Sequence, residues 1–278
     1  MGKGRDGEAA QMLQVIINRR LLAMKKLIPL LFLGLAAVGL MLLLNSCDDG
    51  ASDSAPSPQT GTGGSMARFA ITGNTLYIVS KQSLEVYDIN QGGSPAKAVT
   101  KNLGVGIETI FPYQKSLFIG ATDGMYIYNN STPNDPVLLS KYTHVLSCDP
   151  VVVQGQYAYV TLRAGVNCRP GGSFSSLDVV DISDPTKPQM VNSQRMDTPY
   201  GLGVSGNKLF VCEGDKGLRV MDITDRKVPI QKHFFQEVPS YDVIVRNNQL
   251  IVTGKEGLYQ YKFDESDSIE YLSKIPVL

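Results

Sequence analysis

The chain lacks several features on which familiar protein functions depend. It has no tryptophan, only two histidines and no net charge, because 26 basic side chains balance 26 acidic ones. A neutral chain has no field that would attract nucleic acid, so nucleic acid is not an expected partner. The sequence also has no GxSxG, HExxH, P-loop or CxxC motif. The common signatures of hydrolases, metalloproteases, nucleotide-binding proteins and redox proteins are therefore unmatched, and neither a cofactor nor a metal site is predicted.

What the sequence does have is a repeat. A short apolar run follows an Asn/Gly-type turn five times, beginning at Leu76, Leu117, Ala158, Leu209 and Leu250. The spacings are 117−76 = 41, 158−117 = 41, 209−158 = 51 and 250−209 = 41. A period near 40 residues built of short alternating strands is typical of radial β architectures. We therefore predict an all-β fold, a β-propeller of about five four-stranded blades over residues 66–278.

The residues before the repeats predict a targeting signal. Met24 and two lysines precede an almost unbroken apolar run over residues 27–44, and Leu44-Asn45-Ser46-Cys47 follows. This pattern resembles the lipobox of bacterial lipoproteins, in which the cysteine is lipidated and becomes the mature N-terminus. The resemblance implies a signal peptide over residues 1–46, with translation starting at Met24, and lipidation of Cys47. The alternative is a membrane-spanning helix, since about 18 apolar residues can just cross a bilayer.

The segment after Cys47 predicts a flexible linker. Residues 48–65 are rich in Ser, Gly, Thr and Pro and have almost no large apolar side chains, so they cannot offset the entropy of ordering. With the lipidated cysteine, residues 47–65 would tether the propeller to a membrane. The resemblance to lipoproteins implies the bacterial cell envelope, at the outer membrane, and leaves open the periplasmic or the cell-surface face.

A second motif recurs in the third strand of three units. It is found at residues 84–89 (LEVYDI), 177–182 (LDVVDI) and 218–223 (LRVMDI), and it resembles the repeat of the LVIVD-repeat family of envelope proteins. The resemblance implies a β-propeller but little about activity, because the family is defined by its repeat. Asp88, Asp181 and Asp222 occupy one position of this motif, which favours a cap of the following turn over three separate sites.

Binding sites of propellers usually lie where the inner strands begin, around the central channel. Alignment of the units places the following side chains there: Arg68, Glu108, Asp149, Tyr200, Tyr241 and Asp242. Carboxylates bind hard cations and tyrosine rings stack on sugars, so this set is a candidate site for a cation or a sugar. The sequence favours the alternative, a set of solvated strand ends that pair with one another.

The third unit carries an insertion over residues 163–176, which predicts a recognition loop. Its candidate contact residues are Arg163, Asn167, Arg169 and Phe174. Cys168 lies in this loop, and an antiparallel hairpin would bring it close to Cys148, so we predict a disulfide between the two. Cys212 is then a small buried apolar residue or, alternatively, a partner of one of them across blades.

These observations lead to one functional hypothesis and two rivals. The favoured hypothesis is a membrane-anchored lipoprotein whose propeller is a non-catalytic scaffold for an envelope protein or a glycan. The first rival is a lyase or glycan hydrolase that uses Glu108, Asp149 and Asp242. The second is a structural accessory of an outer-membrane complex. The histidines, His144 and His233, fall on predicted outer strands of different blades and do not suggest catalysis.

Overall fold

Alternating apolar residues separated by tight turns divide the chain into strands. The structure, a computed structural model, describes residues 64–90, 94–143, 150–165 and 174–277. Within these residues the chain forms twenty strands, arranged as five antiparallel sheets of four. Each sheet consists of four consecutive strands, so no strand is exchanged between the chain ends. The prediction of an all-β propeller with five four-stranded blades is confirmed.

The strands of each blade run in order from the central channel to the outer edge. Blade 1 is β1 (Phe69–Thr72), β2 (Thr75–Val79), β3 (Ser83–Asp88) and β4 (Ala96–Asn102), and blade 2 is β5 (Ile107–Tyr113), β6 (Ser116–Ala121), β7 (Gly124–Asn129) and β8 (Val137–Thr143). Blade 3 is β9 (Val151–Gln154), β10 (Tyr157–Leu162), β11 (Ser175–Asp181) and β12 (Gln189–Met196). Blade 4 is β13 (Leu202–Ser205), β14 (Lys208–Cys212), β15 (Leu218–Asp222) and β16 (Ile230–Phe235), and blade 5 is β17 (Asp242–Arg246), β18 (Gln249–Gly254), β19 (Gly257–Phe263) and β20 (Ile269–Pro276).

The recurring aspartates of the third strands cap the turns that follow them. The Oδ1 atoms of Asp88, Asp181 and Asp222 each accept a hydrogen bond from the backbone amide two residues later, at 2.8, 2.9 and 2.8 Å. Asn129 makes the same contact in blade 2 at 2.8 Å. The repetition confirms the predicted structural cap, which offers the turn amide a local acceptor.

The core lies between successive blades. Four clusters of buried side chains join blades 1 and 2, 2 and 3, 3 and 4, and 4 and 5. At two of these four clusters, a tyrosine of the second strand also makes a hydrogen bond to the next blade. The Tyr77 hydroxyl donates to the backbone oxygen of Pro133 at 3.0 Å, and the Tyr159 hydroxyl donates to that of Arg226 at 3.0 Å. Each blade is therefore stabilised by its neighbour, which is the physical basis of repeat folds.

Residues 64–67, which we call the strap, cross the start of the inner strands. The Ala67 amide donates to the Gly64 oxygen at 3.0 Å, and the Ala67 oxygen accepts from the Ile110 amide of blade 2 at 2.9 Å. Ser65 is fully buried, and its hydroxyl accepts from the Leu202 amide of blade 4 at 2.6 Å. Gly64 and Ser65, which composition assigns to the linker, are thus packed in the propeller.

None of the described residues belongs to a helix that is both long and apolar enough to cross a membrane. The apolar run at 27–44, the lipobox and Cys47 lie outside the described residues. The signal peptide, the linker and the lipid anchor therefore stay predictions.

Candidate functional site at the channel mouth

Side chains from all five blades converge at the end of the channel where the inner strands begin, which we call the mouth. Arg68 precedes β1, Glu108 lies in β5, and Arg163 follows β10. Tyr200 comes shortly before β13, and Tyr241 and Asp242 are at the start of β17. Of the predicted channel residues, Asp149 lies outside the described residues. The others form two groups: one is built around the contacts of Arg163, Tyr200 and Tyr241, and in the other Asp242 binds the strap.

A cation and two tyrosine rings form the centre of the first group. The Arg163 guanidinium carbon lies 3.8 Å from the centre of the Tyr200 ring, a cation–π contact. Tyr200 meets Tyr241 edge to face, with ring centres 5.1 Å apart and an interplanar angle of 87°. The Tyr241 hydroxyl donates to Asp215 Oδ1 at 2.8 Å, and this bond raises the pKa of Tyr241. One continuous chain of contacts therefore runs from blade 3 to blade 5.

The backbone positions Tyr200 from both sides. Its carbonyl oxygen accepts a 2.6 Å hydrogen bond from the Thr161 hydroxyl of blade 3. Gly214 lies against the Tyr200 ring. Its φ is 62°, and a Cβ added there would lie 2.7 Å from Tyr200 Cε2. Only glycine combines that backbone conformation with so close an approach. The tyrosine ring is thus fixed before any ligand binds.

Glu108 contributes the negative charge of the first group. Burial raises the pKa of Glu108, while the positive charges of Arg68 and Arg163 oppose this rise. Desolvation is the larger effect, so the carboxyl group holds its proton to a higher pH than an exposed glutamate does. A carboxyl group with a raised pKa beside two guanidinium groups is a feature common to ligand-binding and catalytic sites.

Asp242 belongs to the second group, where it binds the strap. The Ser65 hydroxyl donates to Asp242 Oδ1 at 3.2 Å. Burial raises the pKa of Asp242 to about 6, although hydrogen bonds from the backbone amides of Val243, Met66 and Ser65 favour the charged form. Glycines flank the carboxylate: a Cβ on Gly64 or on Gly201 would lie 2.1 Å from one of its oxygens. Asp242 therefore positions the strap, and its oxygens are occupied by the protein itself.

Sequence reasoning missed a buried ion pair beside the mouth. Glu213 is fully buried, and its Oε1 accepts from Arg219 Nε at 2.7 Å while its Oε2 accepts from the Thr198 amide at 2.6 Å. Arg219 also donates to Asp197 Oδ2 at 2.6 Å. These partners are 6 to 22 residues apart in sequence. The Glu213–Gly217 loop looks like an ordinary turn in the sequence, and the β14–β15 hairpin that it closes places Arg219 beside Glu213.

The structure separates the predicted recognition-loop residues. Arg163 belongs to the mouth, as described above, and not to a separate loop surface. Phe174 lies under Arg195, with 4.8 Å between the guanidinium carbon and the ring centre. Asn167 and Arg169 lie outside the described residues. Arg163 thus lies against Tyr200 of the neighbouring blade, and the role of the four residues in recognition stays a prediction.

Three of the four cysteines, Cys47, Cys148 and Cys168, lie outside the described residues, so the predicted disulfide stays a prediction. Cys212 is a buried free thiol in the cluster between blades 4 and 5, and burial raises its pKa. The structure thus places Cys212 as a small buried apolar residue, and its alternative pairing across blades is wrong.

Metal ligands do not converge in the described part of the chain. No group of three or more His, Cys, Asp or Glu side chains is close enough there to hold a metal ion. His233 stacks on Phe235 of the same outer strand, with ring centres 5.6 Å apart, and His144 lies outside the described residues.

Comparison with known families matches the LVIVD repeat at residues 172–195 and 201–235. These matches cover β11 and nearly all of β12 in blade 3, and all four strands of blade 4. The protein is a β-propeller that contains LVIVD repeats. No curated protein matches its sequence.

Solved structures share the fold of this LVIVD-repeat β-propeller at low sequence identity. A protein from Lactobacillus plantarum matches with a TM-score of 0.60 and 15% identity, over 73% of this chain and 69% of its own. The periplasmic gluconolactonase PpgL from Pseudomonas aeruginosa matches with a TM-score of 0.58 and 14% identity, over 74% and 68%. AztD from Citrobacter koseri matches with a TM-score of 0.54 and 14% identity, over 74% and 60%. At these identities the similarity concerns the fold alone.

The prediction that the chain is not an enzyme is wrong. It relied on the absence of familiar catalytic motifs, yet a protein of the same fold is a gluconolactonase. Propellers assemble their sites from loops of several blades, so the residues of such a site need not form a contiguous motif. The LVIVD-repeat β-propeller therefore has a fold that is compatible with catalysis.

Proposed function

We propose that the mouth of this propeller binds a carbohydrate or a carbohydrate-derived acid. The observation that carries the proposal is the convergence of Arg68, Glu108, Arg163, Tyr200 and Tyr241 from five different blades. Convergent charged and aromatic groups in a concave site are typical of specific small-molecule binding.

The chemistry of the mouth suits such a ligand. Arg163 and Arg68 supply positive charge for a carboxylate, because a guanidinium group presents several donors in one plane. Glu108 and Asp215 supply acceptors for sugar hydroxyl groups. Tyr200 and Arg163 already contact each other in the described structure, so little side-chain entropy would be lost on binding.

Binding of gluconate and of glucose, measured by isothermal titration calorimetry, tests the proposal. Replacing Arg163 by Gln removes a charge-assisted hydrogen bond, so we expect gluconate binding to weaken by at least about tenfold. The matched control is Arg246→Gln, at the opposite end of β17, which should leave binding unchanged. Equal binding by all three proteins, or no binding of either sugar to the unsubstituted chain, would contradict the proposal.

A second candidate function is hydrolysis of a sugar lactone at the same mouth. It is favoured by the raised pKa of Glu108, since a general base works best when its pKa approaches the working pH. The gluconolactonase of the same fold supports the choice of substrate. In this mechanism Glu108 would accept a proton from the water that attacks the lactone carbonyl, and the positive charge of Arg163 would stabilise the negative oxygen that forms there. The ring C–O bond of the ester would then break, and the proton held by Glu108 would pass to the leaving ring oxygen, which becomes a hydroxyl group of the product acid.

Hydrolysis of glucono-lactone, followed with a pH indicator against the uncatalysed rate, separates this candidate from simple binding. Glu108→Gln should abolish the enzymatic rate, since removal of a general base typically costs about 100-fold or more. Glu270→Gln, on the outer strand β20, is the matched control and should retain the rate. A rate equal to the uncatalysed one, with gluconate still bound, would leave binding as the function and refute hydrolysis.

We also propose that the propeller is held in the cell envelope through lipidated Cys47. The support is the sequence pattern before Cys47, and acyl chains contribute about 0.8 kcal/mol per buried methylene to membrane binding. Metabolic labelling with an alkyne fatty acid should mark the unsubstituted chain and not Cys47→Ala. Labelling of both proteins, or of neither, would contradict the anchor.

A further inference from the structure

The junction between blade 5 and blade 1 lacks the packed core of the other four junctions. One position of the inner strand shows this directly, since in blades 2 to 5 its residue is at most 1% exposed and belongs to the cluster shared with the preceding blade: Ile110, Val151, Leu202 and Val243. The equivalent residue of blade 1 is Phe69, which is 60% exposed. In the described part of the chain, no buried apolar cluster joins blade 5 to blade 1.

The strap crosses this junction with hydrogen bonds instead. The Ser65 hydroxyl donates to Asp242 Oδ1 of blade 5 at 3.2 Å and accepts from the Leu202 amide of blade 4 at 2.6 Å. The Ala67 oxygen accepts from the Ile110 amide of blade 2 at 2.9 Å. Ser65 is fully buried, so water does not compete for its hydroxyl group. Since β1 begins just after the strap, these bonds hold the start of blade 1 to blades 2, 4 and 5.

Elsewhere a hydrogen bond between blades is supported by apolar packing. The Ser140 hydroxyl of blade 2 donates to the Pro185 backbone oxygen of blade 3 at 2.6 Å, and these two blades also share a cluster of buried apolar residues. If that bond is lost, apolar burial still holds the blades together. Between blades 5 and 1 the described residues provide no such cluster, so loss of the strap's bonds favours local opening.

Two mouth residues flank the same junction. Arg68 directly follows the strap, and Tyr241 directly precedes Asp242. The Arg68 oxygen accepts from the Val79 amide of β2 at 2.8 Å, and within its sheet β1 pairs with β2 alone. Arg68 is therefore positioned by β2 on one side and by the strap on the other.

We propose that the strap is a clasp that keeps the mouth assembled. With the strap bound, blade 1 is held beside blade 5, and Arg68 faces the ligand together with Tyr241. When the strap is released, the junction opens at the mouth and Arg68 leaves the site, while the contact of Arg163 with Tyr200 persists. The clasp depends on the strap's contacts alone, whereas its effect on the ligand rests on the proposed function.

Amide hydrogen exchange of the full chain in detergent micelles, resolved by NMR, tests the clasp without any ligand. The Ile110 and Val79 amides donate to the oxygens of Ala67 and Arg68, so both should exchange when the strap leaves. The Thr161 amide makes the equivalent bond in blade 3 and is the internal reference. In the unsubstituted chain we expect one opening constant for Ile110 and Val79 that exceeds the constant for Thr161. Equal opening of all three amides would overturn the clasp.

Ser65→Leu is the variant that releases the strap, because a larger side chain does not fit this fully buried position. It should quicken exchange of the Ile110 and Val79 amides at least about tenfold and leave that of Thr161 unchanged. The matched control is Ser140→Leu, which also removes a hydroxyl that joins two blades and should leave all three rates unchanged. Circular dichroism checks that the variants are folded, and Ser65→Ala, which removes the same hydrogen bonds, replaces Ser65→Leu if that variant is not. An unchanged Ile110 rate in the folded variant would overturn the proposal.

A double-mutant cycle on gluconate binding tests the effect of the clasp on the mouth. Ser65→Leu and Arg68→Gln should each weaken binding by about tenfold, and the doubly substituted chain should bind no more weakly than either, because both changes remove the same contact. Additive losses would mean that the strap does not act through Arg68 and would overturn this part of the proposal. If the unsubstituted chain binds no gluconate, the proposed function fails, and amide exchange alone still decides whether the strap is a clasp.

Discussion

Replacement of Asp242 by Asn should remove a specific part of the pH dependence of stability. The folded pKa of Asp242 is about 6, against 3.8 for an exposed aspartate. The folded state thus holds a proton that the unfolded chain releases. The resulting stabilisation is fully present below the unfolded pKa and is lost as the pH rises through the folded pKa.

The size of the effect follows from these two values. At about pH 7.5 both states are ionised at this position, and at about pH 5 the folded state is mostly protonated while the unfolded chain is not. This single group therefore increases the free energy of unfolding by about 1 kcal/mol between the two pH values. Asn cannot titrate, so the variant should lack that increase, whatever constant cost the substitution carries through its altered hydrogen bonds to the strap.

Urea unfolding monitored by far-UV circular dichroism at the two pH values measures the difference. The control is Asp264→Asn, because the Ser266 hydroxyl and amide lower the pKa of Asp264 and keep it charged throughout this range. That control should show the same pH dependence as the unsubstituted chain. If Asp242→Asn also keeps it, the carboxylate is not desolvated beneath the strap and the account of the strap is wrong.

Three further predictions address packing. Gly201→Ala should lower the free energy of unfolding by about 1–3 kcal/mol, because the added Cβ would lie 2.1 Å from Asp242 Oδ1. A smaller loss, measured by urea unfolding, would contradict the packing of Asp242 against the strap. Tyr77→Phe should lower the free energy of urea unfolding by about 1–2 kcal/mol, since the Asn130 and Pro133 oxygens lose their hydrogen-bond donor. The control Tyr271→Phe, at an exposed position, should leave that free energy unchanged. Cys212 should resist iodoacetamide in the folded chain and react after denaturation, as read by peptide mass spectrometry, because burial raises its pKa; rapid reaction in the native state would contradict this.

The blade architecture was predictable because its determinants are local. Apolar alternation places Leu209–Cys212 in a strand, and the Gly206-Asn207 turn allows the next strand to return beside it. The cap at Asp222 needs only an amide two residues away. A repeat strengthens such a prediction, since the same local pattern occurs in five units.

The mouth was only partly predictable. Tyr200, Tyr241 and Glu108 follow from alignment of the units, because the start of an inner strand faces the channel in every blade. Arg163 appeared in the sequence as part of an insertion, and its contact with Tyr200 depends on the packing of blade 3 against blade 4. No local pattern reports a contact between side chains of different blades.

The strap shows most clearly where composition stops being informative. Gly64 and Ser65 end a segment of small polar residues, and such composition is typical of a flexible linker. In the structure the same small size lets Gly64 lie against the Asp242 carboxylate and lets Ser65 bridge blades 4 and 5. Small residues occur both in flexible linkers and in closely packed regions. Only the residues that surround them in the structure distinguish the two cases.

The sequence by itself determined the all-β class, the number of blades, their repeat and their turn caps, because these depend on residues a few positions apart. The tertiary structure decided which charged groups meet at the mouth, which carboxylate the strap occupies and which apolar faces stay uncovered. Those features arise from contacts between blades tens of residues apart, and their energies depend on burial and distance that a linear pattern does not contain.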